Sequence, residues 1–205
     1  MTKRHRAFQE MSLDSDETLV ASLKFLAIIA IIGVAIDIPI ASLAGLKYES
    51  NSYIISRLFV LFVLWFCYAT LLHVCMKVFG GRATYRETIA LFCFLTAFFP
   101  PIMLLQMPFA RYFAPTIKDS PSVGAIFSIW SRVNDNDMYL VVISSILSLV
   151  FSVWFVIVLF RSSNSVHGVS GLRALSANIL FLISLWIFII VIAYPFQNFV
   201  LRAFA

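Results

Sequence analysis

Residues 139–160 read YLVVISSILSLVFSVWFVIVLF, and not one of them carries a charge. An α-helix needs about 20 apolar residues to cross the hydrocarbon core of a bilayer, so this run is long enough to span. Comparable runs lie on both sides of it, from about Phe25 to Leu46, Ile54 to Val78, Thr88 to Met107 and Ile179 to Phe199. Backbone N–H and C=O groups in hydrocarbon need partners within the segment itself, and alternating strand-like segments are absent, so the spans are helical. The expected fold is an all-α integral membrane bundle of about five transmembrane helices. Residues 1–24 form a short cytoplasmic tail, and residues 25–205 form the transmembrane domain.

Composition agrees with this reading. Of 205 residues, 61% are hydrophobic and only 12% charged, roughly half the charged share of a soluble domain. So few polar groups cannot cover a water-facing surface, which makes lipid the natural solvent of the chain. The net charge of +5 is the bias of membrane proteins toward basic cytoplasmic segments rather than a nucleic-acid signature. Cys67, Cys75 and Cys93 all fall inside apolar runs. They have neither the pattern of a disulfide framework nor metal-ligand spacing and read as small apolar residues. No cleaved leader is evident: Glu10, Asp14, Asp16 and Glu17 precede the first run, which reads as a retained helix.

Orientation follows from the Lys and Arg count on each side. With the N-terminus inside, the inner face carries Lys3, Arg4, Arg6, Lys24, Lys77, Arg82, Arg86, Arg161 and Arg173. The outer face carries Lys47, Arg57, Arg111, Lys118, Arg132 and Arg202. The N-terminus is therefore expected in the cytoplasm and the C-terminus outside. Between the third and fourth spans, Ser122 to Val133 places Ile126, Phe127 and Trp130 on one side of a short helix, expected to lie on the membrane surface.

Asp37 sits near the middle of the first apolar run, where a carboxylate costs at least about 2.5 kcal/mol. Ala30, Gly33, Ala41 and Ala44 share its helical face, so a neighbouring helix can approach closely there. Its expected partners are Tyr194 or an inward-reaching Arg57. Two readings stand: a carboxylate that handles protons or cations, and a polar contact that locks two helices. Pro39 in the first span, and Pro100-Pro101 in the third, are expected to kink their helices, either as passive bends or as breaks whose carbonyls line a site. Ser144, Ser148 and Ser152 recur every four residues and form a seam for close helix packing, with a polar pore lining as the alternative. His73, alone among apolar residues, reads as a hydrogen-bonded core residue. No nucleophile–base pair, metal-binding helix motif or phosphate loop occurs, so neither catalysis nor a cofactor is expected.

Two connecting segments carry a recognisable pattern. His73-Val-Cys-Met-Lys-Val-Phe-Gly-Gly81-Arg-Ala-Thr-Tyr85-Arg-Glu-Thr88 joins the second and third spans, and Arg161-Ser-Ser-Asn-Ser-Val-His167-Gly168-Val-Ser170-Gly-Leu-Arg173-Ala174-Leu175 joins the fourth and fifth. The pattern resembles the Yip1-domain family: five spans, a Gly-Gly turn followed by an aromatic residue, a proline in the third span and a His-Gly-x-Ser…Arg-Ala-Leu loop. Carried over by position, its motif residues are Gly80, Gly81, Tyr85, Pro100, His167, Gly168, Ser170, Arg173 and Ala174.

The resemblance implies a non-enzymatic multipass protein that organises membrane or protein partners through cytoplasmic loops. The partners implied are the lipid bilayer, further copies of the chain in a homo-oligomer, or another membrane protein. Members with a long N-terminal region associate with small GTPases, and the short tail here puts small-GTPase binding in doubt. The compact form is similar to bacterial members, which implies a bacterial inner (cell) membrane location. The competing reading is a small transporter or channel that uses Asp37. In the loops themselves, Gly80-Gly81 is expected to cap the second helix, and Thr84 or Thr88 the start of the third, with Glu87 suited to its positive end.

Overall fold

In the computed structural model, residues 15–43, 51–108 and 135–203 are described. The expected surface helix, Ser122 to Val133, lies outside the described residues, as do Lys47 and Lys3, Arg4 and Arg6 of the N-terminal tail. Among the described residues the chain is helical apart from short connections and has no strand, and five helices are long and apolar enough to cross a membrane: Asp16–Pro39, Ile54–Val78, Tyr85–Pro108, Asp137–His167 and Gly171–Gln197.

The first helix, α1 (Asp16–Leu43), starts well ahead of Phe25. Its start is set by Ser15, whose Oγ accepts the Thr18 backbone N–H at 3.1 Å, while Asp16 and Glu17 occupy the positive first turn. Because the helix begins in the polar tail, Asp37 lies toward its far end rather than near its middle. The helix continues through Pro39 to Leu43. Then α2 (Asn51–Val78) runs antiparallel to α1 and ends at the Gly80-Gly81 turn.

The third span is built from two helices. The first, α3 (Tyr85–Leu95), gives way to a 3₁₀ turn over Thr96–Phe98, and α4 (residues 99–108) follows. Pro100 and Pro101 explain the change of pitch. Their rings collide with the carbonyls four residues back, at Thr96 and Ala97, and neither can donate there. The Thr96 carbonyl accepts Phe99 N–H instead, in the tighter 3₁₀ pattern, and Thr96 Oγ1 donates its hydrogen to the Cys93 carbonyl at 2.5 Å.

Next come α5 (Asp135–His167) and α6 (Gly171–Phe188). A π turn over Ile189–Ala193 then leads into α7 (Tyr194–Ala203). Pro195 accounts for that widening as the prolines of the third span account for the tightening, since an α-bond to Val191 is closed to it.

The third span is the most buried of the five and is packed by α1, α2 and α5, while α6 packs on α2. The core sits in the half of the bundle that carries the Gly-Gly turn. Leu26 from α1, Leu72 and Met76 from α2, Leu91 and Phe92 from α3, Leu159 from α5 and Phe181 from α6 meet there, all nearly fully buried. Midway along the bundle, Trp65 is edge-on to Phe92 at 5.1 Å and to Phe99 at 4.8 Å, and Phe99 continues to Phe155 at 5.3 Å. The outward faces of α5 and α6 expose large apolar side chains such as Ile143, Leu149, Trp154 and Trp186, as lipid-facing surfaces do.

On α5 the buried residues form one stripe: Val141, Ser144, Ser148, Leu159, Ser163 and His167. Two members of the serine seam, Ser144 and Ser148, are thus turned inward within a single chain, while Ser152 is half-buried. The seam's hydroxyls bond back along the helix, Ser144 to the Val141 carbonyl at 3.0 Å and Ser152 to the Ser148 carbonyl at 2.8 Å. That geometry satisfies them in an apolar setting and keeps the surface small enough for close approach.

Candidate functional site

The ends of α2 and α5 use the same device. Gly80 lies at φ +87°, and its N–H donates to the Lys77 carbonyl at 3.0 Å while Gly81 N–H reaches Met76 O at 2.9 Å. At the end of α5, Gly168 lies at φ +63°, its N–H reaches Ser165 O at 3.3 Å, and Val169 N–H reaches Asn164 O at 3.0 Å. Both are Schellman caps, which need a left-handed residue and so favour glycine. The two caps are joined: Arg82 N–H donates to the His167 carbonyl at 2.9 Å. The connections 79–84 and 168–170 therefore form one continuous surface at one end of the bundle.

Beneath that surface lies a chain of polar side chains. Thr88 Oγ1 is 2.9 Å from His73 Nδ1, 3.1 Å from His167 Nε2 and 3.1 Å from the Thr84 carbonyl. A hydroxyl has one hydrogen and two lone pairs. The Thr84 carbonyl can only accept, so the Thr88 hydrogen goes to it and both histidines donate to the hydroxyl oxygen. His73 is then the Nδ1–H tautomer and His167 the Nε2–H tautomer, an arrangement in which the threonine is fully used.

Among the described residues, the buried His167 Nδ1 has no hydrogen-bond partner. A Cβ placed on Gly81 would come within 2.7 Å of this nitrogen and 2.8 Å of the Met76 carbonyl oxygen. Gly81 is therefore required by close approach, whereas Gly80 is required by its backbone angle. The two rings lie 5.6 Å apart, and the Tyr85 ring stands edge-on to His73 at 5.4 Å. The Tyr85 hydroxyl pairs with Thr70 Oγ1 at 2.6 Å.

Of the two threonines expected to cap α3, the structure uses Thr84. Its Oγ1 accepts Glu87 N–H at 3.3 Å, and Glu87 Oε2 accepts Thr84 N–H at 2.6 Å, a reciprocal capping box. Ser170 precedes α6 without a side-chain cap, and Gly171 behind it also has a positive φ, +59°. Ala174 is buried in the bundle while Arg173 is exposed. Lys77, Arg82 and Arg86 are also exposed at this end, Arg86 pairing with Asp16 at 2.8 Å.

The structure thus gathers Gly80, Gly81, Tyr85, His167 and Gly168 into one assembly. It also adds His73, Thr88 and Arg82, which lie in the first motif segment but are not among the motif residues carried over. The spacing of Thr84, Thr88 and Tyr85 after a Gly-Gly turn holds part of that signal, but the meeting of His73 with His167 has none, being a contact between separate spans.

Asp37, Pro39, Pro100 and Pro101 lie away from this assembly. Asp37 Oδ2 pairs with Arg57 Nε at 2.8 Å, and the two side chains are 19% and 21% exposed. Arg57 is therefore a partner of the Asp37 carboxylate, and Tyr194, the other one expected, is exposed instead. A cavity of about 150 Å³ adjoins the pair, with Ala30, Gly33, Trp65, Pro100 and Met103 in its walls. Ala30 and Gly33 of the expected small-residue stripe face this space; the side chains of Ala41 and Ala44 lie outside the described residues. No group of three or more His, Cys, Asp or Glu side chains placed to hold a metal occurs among the described residues.

Compared with known proteins, the chain matches the family model described as the Yip1 domain over residues 1–194. Neither the curated proteins nor the solved structures contain a match to it. A match over nearly the whole length, on a five-span helical bundle whose two motif loops are physically joined, makes the chain a member of the Yip1-domain family.

Proposed function

We propose that this protein is a non-enzymatic multipass membrane protein that organises membrane or protein partners through the joined surface of its two motif loops. The observation that carries this reading is the Arg82 N–H bond to the His167 carbonyl, 2.9 Å, which joins two loops far apart in sequence into one presented face. That face displays Lys77, Arg82 and Arg173, with Leu172 81% exposed beside them. Cations around an apolar projection suit an anionic headgroup layer or an acidic partner. In this reading the face is cytoplasmic, the C-terminus lies outside, and the protein resides in a bacterial inner membrane. The outward apolar faces of α5 and α6 serve lipid or further copies of the chain. Of the serine seam, Ser144 and Ser148 are buried within one chain and Ser152 is half-buried.

The test is site-specific photocrosslinking from Leu172 in native membranes, with single cysteines at Arg82 and Arg173 to report sidedness. Both cysteines should label from the cytoplasmic side, and the crosslinked species should be lost in an R82E/R173E protein. Labelling from outside, or crosslinking indifferent to charge reversal, would sink the reading.

The competing transporter reading draws on the cavity beside Asp37. It requires proton or cation flux in proteoliposomes that Asp37→Asn abolishes while the protein stays folded. Absence of flux in the wild type removes it.

A further inference from the structure

Beneath the loop surface, the two histidines do more than fill space. They donate to Thr88 Oγ1 through His73 Nδ1 and His167 Nε2, so the bare nitrogens of the neutral rings are His73 Nε2 and His167 Nδ1. The two rings differ in surroundings: His73 is half-buried, whereas His167 is fully buried. His167 Nδ1 faces Gly81. The Cα hydrogen that stands where a Cβ would be points to a spot 2.7 Å from this nitrogen and 2.8 Å from the Met76 carbonyl oxygen. A lone pair accepts such a polarised C–H weakly, and the neutral ring fits.

A proton on Nδ1 reverses that fit. Its N–H would be aimed at the Gly81 C–H, and the carbonyl on that side, Met76 O, already accepts Gly81 N–H at 2.9 Å and Phe79 N–H at 3.2 Å. Neither histidine belongs to an ion pair among the described residues. From α2, the imidazolium would meet the His73 ring at 5.6 Å, with Lys77 one turn beyond it. From the turn comes Arg82, and Arg161 and Arg173 on α5 and α6 are likewise cationic and exposed. On α3, Glu87 is engaged by Thr84 N–H, Arg86 by Asp16 and the Tyr85 hydroxyl by Thr70. A buried charge without a partner is costly. Relief requires Gly81 to move, or the Met76 carbonyl to leave Gly81 N–H for the ring. Either change shifts the 79–84 turn beside Arg82, whose N–H holds the His167 carbonyl.

We propose that His167 is a proton-operated latch on the loop surface: the neutral ring keeps the two motif loops joined, and protonation, reinforced by a like charge on His73, releases them. The latch rests on the reading of that surface as the partner-binding face, which acidification withdraws.

The latch is tested without a partner. Nitroxide labels at R82C and S170C, in nanodisc-embedded protein whose Cys67, Cys75 and Cys93 are replaced by alanine, report the separation of the loops through dipolar broadening of their resonance. The expected result is broadening at about pH 7.5 that is lost by about pH 4.5 and regained on return. His167→Gln keeps an N–H for Thr88 at the Nε2 position but takes up no proton, and should hold the broadening across the whole range. Broadening of the wild type unchanged by acid, or acid release undiminished in H167Q, would overturn the proposal. If H167Q does not fold, the imidazole ¹⁵N resonances of the histidines decide: Nδ1 of His167 must gain its proton over the interval in which the labels separate, and separation with that nitrogen still bare refutes the latch. Crosslinking from Leu172 at neutral pH tests the face itself. Its failure beside an intact acid response removes the partner reading alone, and its success without an acid response removes the latch alone.

Discussion

Replacing Gly81 with alanine tests the joining of the two loops most directly. The new Cβ would lie 2.7 Å from His167 Nδ1 and 2.8 Å from the Met76 carbonyl oxygen, well inside the ~3.5 Å and more of a comfortable carbon contact. Neither neighbour can retreat freely. Met76 O accepts the Gly81 N–H of the helix cap, and His167 is held at its ring by Thr88 and at its carbonyl by Arg82. Overpacking at such a point costs about 1–3 kcal/mol, offset by about 0.4–1 kcal/mol from the lower freedom of alanine in the unfolded chain. A net loss of roughly 1–2 kcal/mol follows. Reversible unfolding in mixed micelles, followed by circular dichroism, would measure it. The reasoning makes a second demand: in a His167→Ala background half of the collision is gone, so a double-mutant cycle should show coupling of about 1 kcal/mol. Wild-type stability for Gly81→Ala to within about 0.5 kcal/mol, or a cycle without coupling, would refute the close-approach account. Gly80→Ala, which meets no atom within 4 Å but lies at φ +87°, should cost about 1 kcal/mol for its backbone angle alone and show no such coupling.

Other consequences follow from the same contacts. Thr88→Val removes the oxygen to which His73 and His167 both donate and should cost about 2–4 kcal/mol, while Thr88→Ser keeps the oxygen and stays within about 1 kcal/mol of wild type; denaturation of the two variants side by side decides. Asp37→Asn and Arg57→Gln should each destabilise by about 1–3 kcal/mol, and the double variant by less than their sum, because each single change takes an ion-pair partner from a charge that is only about one-fifth exposed. A strictly additive double variant would contradict the pairing. Thr84→Ala deletes one arm of the capping box and should lower stability by about 1 kcal/mol, with faster amide hydrogen exchange confined to the first turn of α3.

Much of the bundle is legible from composition and local pattern, because an uncharged run of sufficient length has few alternatives in lipid. The second span, Ile54–Val78, coincides with its expected bounds. The first was misplaced at its start because apolar content marks where a helix meets hydrocarbon, whereas the helix itself is initiated by Ser15, Asp16 and Glu17 in the polar tail. Proline rings act within four residues of themselves, so the irregularity near Pro100 could be expected locally. The π turn before Pro195 carried the same local signal.

The sequence alone determined the solvent of this protein, its helical class and the glycine punctuation of its loops, since each rests on a residue's own chemistry or on neighbours within a turn. Tertiary structure decided the rest. It set His73 and His167 on either side of Thr88, buried Ser144 and Ser148 of the serine seam inside one chain, paired Asp37 with Arg57 rather than Tyr194, and left a cavity beside that pair. These are contacts between separate helices, fixed by how the spans rotate and settle against one another, and a polar side chain in a span does not itself specify which neighbour will meet it.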